Sequence, residues 1–215
     1  LYADSPTIIN EPIPTRNHTE IFLHQCGAQL HKKNQQLTIH PAEILHPFDL
    51  KIPGDFSSAA YFITAACIVP NSEVCIRQVN VNPTRVGFLK VVKQMGGKFK
   101  LQNKTMENGE PVADIIILSS SLKGITIDSA LIPSMIDEIP LIAVLACFAE
   151  GTTIIHDASE LRYKESDRIH AIVENLQEMG ADIIEYEDGF AILGGQPLRG
   201  TTIKTYGDHR IAMSF

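Results

Sequence analysis

In the segment Glu160–Arg168, ELRYKESDR, residues Lys164, Glu165 and Arg168 stand at i, i+1 and i+4. Arginine offers a planar fork of donors and lysine a mobile point charge. The two cations can converge on one carboxylate or phosphate, and Glu165 between them can exchange a proton with whatever they hold. The same stretch also suits a solvated helix start, with Ser166 or Asp167 as N-cap. Asp137 in SMIDEIP has two readings as well. It is an N-cap, as Asp55 and Asp208 are in similar surroundings, or a carboxylate at a helix start that accepts a hydroxyl proton. Arg210 in GDHRIAM lies in the first turn of an apolar helix. The helix dipole disfavours a cation there, so Arg210 asks for an anionic partner, and helix amides with an arginine make a phosphate site. Its neighbour His209 reads as a structural hydrogen-bonder. Arg16 in PTRNHTE stands at another helix start, and its counterpart Arg85 in NPTR leaves open whether these arginines serve the fold or a ligand.

Positioning these residues falls to two alternating patterns. Pro14–Leu30, Asn82–Leu101 and Lys164–Tyr186 each carry an early arginine, apolar residues at helical spacing, Gly-Ala or Gly-Gly, then a short alternation. That is an amphipathic helix, a glycine C-cap and a strand. Gly54–Ile76 and Met135–Ile155 share the second pattern, and Gly207–Phe215 begins another copy. Each holds an aspartate just before a helix that is apolar around most of its circumference, and such helices are buried on most sides. The repeated unit is therefore strand, buried helix, strand, amphipathic helix and a pair of strands, with hairpin turns at Asp188-Gly189 and Asn108-Gly109. The period exceeds those of solenoids, so a few large units surround a shared interior, helices inside and sheets outside. Between Ala42 and Pro53, Pro47 and Pro53 break the pattern. A crossing is expected near residue 51, with residues 1–50 the tail of a first domain and residues 51–215 a second.

The chain has 215 residues, 44% hydrophobic and 20% charged, which is enough for a core. A net charge of -7 argues against nucleic-acid binding but not against an anionic substrate held by a few basic side chains in a cleft. Cys26, Cys67, Cys75 and Cys147 lack CxxC spacing. They read as small buried hydrophobes in a reducing compartment, with no metal site or disulfide framework. Ile139–Ala149 is too short an apolar run to span a bilayer. The opening LYADSPT lacks an initiator methionine and RIAMSF stops inside an apolar run, so both ends of a longer protein are expected to lie outside this sequence.

PGDFSSAAYF, NPTR, SMIDEIPLIAVLACFAEGTT, ELRYKESDRI and GDHRIAMSF, in this order, resemble the bacterial 3-phosphoshikimate 1-carboxyvinyltransferases. KESDR together with DHRIAM is the specific part. The resemblance implies an α/β (α+β) fold, the enolpyruvyl transferase fold. Its domains are each built of three βαβαββ units with buried helices and outer sheets, an inside-out α/β barrel with the active site between domains. It implies transfer of the enolpyruvyl group of phosphoenolpyruvate to shikimate 3-phosphate in a cytoplasmic monomer, with no metal or organic cofactor, no nucleic acid and no membrane. It further implies that Asp137 contacts the shikimate hydroxyls and accepts a proton, and that Glu165 moves protons to and from the phosphoenolpyruvate methylene. Lys164 and Arg16 would bind shikimate 3-phosphate, Arg16 matching an arginine of one subgroup, while Arg168 and Arg210 would hold phosphoenolpyruvate. Tyr163 stands where valine is common. The family's N-terminal lysine, glycine-rich loop and serine/glutamine contacts would precede Leu1, and a late lysine would follow Phe215. The alternatives are the related UDP-N-acetylglucosamine enolpyruvyl transferase and a non-catalytic repeat module whose charges only cap helices.

Overall fold

The computed structural model describes residues 1–215. A β-α-β-β motif occurs three times. It comprises β1 (Thr7–Asn10), α1 (His18–Gln25), β2 (Leu30–Lys33) and β3 (Gln36–Ile39) in the first copy. The second copy is β4 (Glu73–Asn80), α3 (Gly87–Gln94), β5 (Lys98–Glu107) and β6 (Glu110–Leu118), preceded by α2 (Phe56–Ile68). The third is β7 (Thr152–Ile155), α5 (Arg168–Glu178), β8 (Asp182–Tyr186) and β9 (Gly189–Leu193), preceded by α4 (Ile139–Cys147). A last helix, α6, spans His209–Ser214. Each motif closes its own antiparallel sheet, and the last strand always lies between the other two: β1-β3-β2, β4-β6-β5 and β7-β9-β8.

The helices divide by composition. On α2, the Ala, Ile and Cys residues that follow Phe56 leave little polar surface, and Phe56, Ala60, Ile63 and Cys67 are buried. All of α4 but Val144 is buried. Such helices find enough apolar surface only in the middle of the molecule, where α4 packs on α2, α5 and α6. By contrast α3 and α5 bury one face each, through Phe88, Val91 and Val92 and through Ile169, Ile172 and Leu176. They lie between the interior and the sheets.

Each amphipathic helix ends in the same glycine-dependent turn. After α3, Gly96 takes φ 94° while Gly97 N–H donates to the Val92 carbonyl and Gly96 N–H to Lys93. Gly27 and Gly180 repeat this after α1 and α5. This is the Schellman arrangement, which needs a left-handed residue after the helix.

Three expectations need correction. The leading strand of each unit shrinks to isolated parallel bridges, Gly54 to Val79 and Thr126 to Ile154, because Pro53 has no N–H and α2 starts almost at once. The β8–β9 turn is Glu187-Asp188, since Tyr186 pairs with Gly189. Gly189 is needed instead for close approach, because a Cβ there would overlap the Ile155 carbonyl. The other hairpin does turn on Asn108-Gly109, both at positive φ, with Glu107 and Glu110 paired directly. Among the cysteines Cys67 and Cys147 are buried, which pushes both thiols up to about 11. Cys75, however, is exposed and Cys26 half-buried. Strand alternation accounts for Cys75: β4 turns Val74 and Ile76 toward the core and Cys75 away.

Replacing Gly96 by alanine forces a Cβ into the left-handed region. The expected loss is about 1–2 kcal/mol of stability, read as a lower urea midpoint. An unchanged midpoint would contradict the role given to this turn.

Candidate active site

Asp137 sits in a 3-10 turn, Ile136–Glu138, that follows a break at Met135 (φ −149°). It does not cap α4: the N-cap position belongs to Glu138, which makes no side-chain capping bond. Pro140, at the helix start, has no N–H to satisfy, which lessens the need for a cap. Asp55 and Asp208 do cap, accepting from Ser58 N at 2.7 Å and Arg210 N at 2.8 Å. The three repeat-related aspartates therefore part company, and Asp137 is free for other partners.

Those partners are arginines from distant segments. Arg16 Nη2 donates to Asp137 Oδ2 at 2.5 Å and Arg168 Nη1 to Oδ1 at 3.3 Å, while Arg210 Nη2 lies 3.8 Å from Oδ2. Asp167 caps α5 through His170 N, which starts the helix at Arg168 and turns its side chain inward. Arg168 Nε donates to Asp208 Oδ2 at 2.8 Å, and its Nη2 to Glu165 Oε2 at 2.5 Å. Ser166 Oγ adds a bond to Asp208 at 3.1 Å. Side-chain exposure rises outward from Asp208 and Arg168 (0% and 1%) through Asp137 and Arg210 (17% and 18%) to Arg16 (35%) and Glu165 (53%). Asp208 fixes Arg168 from beneath, and the outer groups face solvent.

Charge governs the carboxylates. Burial opposes ionisation of Asp137, but the hydrogen bond and charge of Arg16, with Arg210 and Arg85, outweigh it and hold its pKa at about 2. Asp208 is likewise lowered against its burial by Arg168 and the Arg210 amide. At Tyr61, burial raises the hydroxyl against the nearby Arg210 charge.

Of the residues singled out from sequence, Arg16, Asp137, Glu165, Arg168 and Arg210 form this one cluster. Lys164 is next to it in the chain, exposed and outside the ion pairs. His209 is exposed and makes no side-chain hydrogen bond, unlike the structural role expected of it. Sequence reasoning missed Asp208 as the partner of Arg168, having read it only as a cap. It also gave no role to Ser57 and Glu138, whose types carry no signal until they are seen buried together. No group of three His, Cys, Asp or Glu side chains is placed to hold a metal ion. A concavity of about 660 Å³ lies on the β4–β6–β5 sheet, is lined by residues including Arg77, Gln102, Asn103 and Asp114, and contains none of the cluster.

Comparison with solved structures defines the class. EPSP synthase from Acinetobacter baumannii superposes with a TM-score of 0.91 at 38% identity, over 99% of this chain and 49% of that one. The enolpyruvyl transferase NikO from Streptomyces tendae gives 0.70 at 16% identity, over 98% and 48%, a likeness of fold alone. The fold is that of the enolpyruvyl transferases. The profile of "EPSP synthase (3-phosphoshikimate 1-carboxyvinyltransferase)" matches residues 1–215, and a 3-phosphoshikimate 1-carboxyvinyltransferase of Thermoanaerobacter sp. (strain X514) is 54% identical over 100% of this chain and 51% of its own length. The chain belongs to the EPSP synthase family. It spans about half the length of the curated relatives it matches. Neither the UDP-sugar enzyme nor the non-catalytic module is favoured by these matches.

Two outcomes are expected. Asp208→Ala leaves Arg168 buried without its main counter-charge and uncaps α6. It should cost about 3–5 kcal/mol by denaturant titration, and a loss below about 1 kcal/mol would deny Asp208 the scaffold role. Asp137 is depressed from 3.8 to about 2 on folding, so its contribution to stability is present above about pH 4 and lost as pH falls toward 2. Arg16→Ala should flatten the fall in urea midpoint across that window; a slope equal to wild type would show that Arg16 is not what holds Asp137 low.

Proposed function

We propose that this chain supplies much of the active site of a 3-phosphoshikimate 1-carboxyvinyltransferase, which moves the enolpyruvyl group of phosphoenolpyruvate to the 5-hydroxyl of shikimate 3-phosphate and releases phosphate. The observation that carries this reading is the convergence of Arg16, Arg168 and Arg210 on the single carboxylate of Asp137. Both substrates are polyanions, and preorganised guanidinium groups are the natural means of holding them.

The family supplies the roles. Arg168 and Arg210 hold phosphoenolpyruvate, and Arg16 and Lys164 hold shikimate 3-phosphate. A proton from Glu165 passes to the phosphoenolpyruvate methylene, making its second carbon electrophilic. The 5-hydroxyl loses its proton to Asp137, and its oxygen bonds to that carbon. The resulting tetrahedral adduct carries the phosphate. Loss of a methyl proton to Glu165 and cleavage of the carbon–oxygen bond to phosphate restore the double bond, and the departing phosphate takes up the proton that Asp137 had accepted. Phosphate charge is met by arginine, so the chemistry draws on neither a metal nor an organic cofactor.

The position of Asp137 adds a physical condition. At a pKa of about 2 it is ionised but a weak base. An anion that draws the charge of Arg16 toward itself raises the basicity of Asp137, so shikimate 3-phosphate prepares its own proton acceptor. We place residues 1–50 as the end of a first domain and 51–215 as most of a second, with the cleft between them and the whole working as a cytoplasmic monomer. In support, Ile8 and Ile9 on β1 are exposed, one on each side of the sheet, apolar surface that further first-domain residues would cover, and the unpaired thiols suit a reducing compartment. No helix is long and apolar enough to cross a membrane.

In the full-length synthase, Arg210→Ala should raise the KM for phosphoenolpyruvate about 10- to 100-fold, the worth of a charged hydrogen bond of roughly 1.5–3 kcal/mol, with the thermal midpoint nearly unmoved. An unchanged KM removes Arg210 from the substrate site. The 215-residue chain alone is expected to show no turnover, and measurable transfer by it contradicts the claim that further ligands are needed.

A further inference from the structure

The Asn82-Pro83-Thr84-Arg85 turn reaches both members of the Arg16–Asp137 pair through their chain neighbours. On one side, Asn82 Nδ2 donates to Asn17 Oδ1 at 2.8 Å, and Thr84 Oγ1 lies 3.2 Å from the same oxygen. Asn17 follows Arg16 and does not use its side chain to cap α1. On the other side, Arg85 Nη2 donates to Ser57 Oγ at 2.5 Å, and Ser57 Oγ donates to Glu138 Oε1 at 2.5 Å. Glu138 follows Asp137 in the 3-10 turn. The bracket is stiff. Asn82 Oδ1 accepts from Thr84 N and Thr84 Oγ1 at 2.9 and 2.8 Å, and Asn82 Nδ2 also donates to the buried Glu110 at 2.6 Å.

We propose that Ser57, Arg85, Glu138 and the Asn82–Thr84 turn are positioning residues that set the Arg16–Asp137 geometry for the transfer reaction, one arm holding the proton acceptor and the other the substrate-binding arginine. The inference rests on the functional reading above.

Stability is a poor explanation for the buried arm. Burial is the larger influence on both its ions, raising Glu138 and lowering Arg85 against the partner's charge. Arg85 Nη1 and Glu138 Oε2 are buried with no hydrogen-bond partner. Replacing such a pair by apolar groups is often neutral or stabilising. What the pair does provide is direction: Ser57 has one proton, and by accepting from Arg85 it must give that proton to Glu138.

The test uses the full-length synthase and reads kcat, both KM values and the thermal midpoint. Ser57→Ala, which cuts the arm to Glu138, should lower kcat about 10-fold or more, with both KM values within about threefold, as expected when a reacting group is displaced but ligands still bind. Asn17→Ala, which cuts the other arm, should instead raise the KM for shikimate 3-phosphate about 10-fold and leave that for phosphoenolpyruvate within about threefold. Arg85→Met with Glu138→Gln removes both buried charges. It should keep or raise the thermal midpoint yet reproduce the kcat loss of Ser57→Ala. Activity that only follows the midpoint, or wild-type kinetics in the double variant, overturns the positioning role. A wild-type synthase that transfers no enolpyruvyl group overturns the functional reading beneath it.

Discussion

The carboxylate of Asp137 lies within reach of three guanidinium groups, and the site is organised around that imbalance. Three like charges cannot gather in a partly buried place without compensation. Asp137 supplies part of it, and Asp208, fully buried against Arg168, and Glu165 supply the rest. With Arg168 fixed from beneath, Arg16 and Arg210 are the more exposed of the three cations. The same field holds the pKa of Asp137 at about 2.

The fold serves this arrangement through its buried helices. α6, expected from its sequence to be buried, buries only Ile211, by which it packs on the central α4, and the starts of the two helices carry Asp137 and Arg210 to one place. α5 is amphipathic and lies just outside, yet its first residue, Arg168, is turned inward and almost wholly buried. A cation of that size is rarely buried unless paired, and Asp208 from the start of α6 is the pair. The repeat therefore does more than build a core. It brings equivalent helix starts together and lets them diverge in use. Asp55 and Asp208 cap, whereas Asp137, relieved by Pro140, does not.

Membership of the EPSP synthase family is carried by the match over residues 1–215 and by a TM-score of 0.91 to a solved member. Half the length of those relatives is represented here, and the ion-paired cluster in this chain consists of arginines and carboxylates. The Asn82–Arg85 turn, which reads from sequence as either structural or ligand-binding, is hydrogen-bonded to Asn17 and Ser57 and so reaches the chain neighbours of Arg16 and Asp137.

Much of this was legible in the sequence because it depends on local chemistry. Apolar residues all around α2 and α4 require burial, Gly-Ala and Gly-Gly after a periodic stretch require the left-handed helix end, and Asn108-Gly109 sets a tight hairpin. KESDR and DHRIAM named the chemical groups for the same reason: a residue's type and its neighbours along the chain are all that such a reading uses. What the chain could not show by itself is which distant groups face one another. Whether Asp137 capped a helix or met arginines turned on a proline three residues later and on Arg16, 121 positions away. Asp208 beneath Arg168, and Ser57 between Arg85 and Glu138, became visible only once the helices were packed. Charge acts through space, and only the tertiary structure sets those distances.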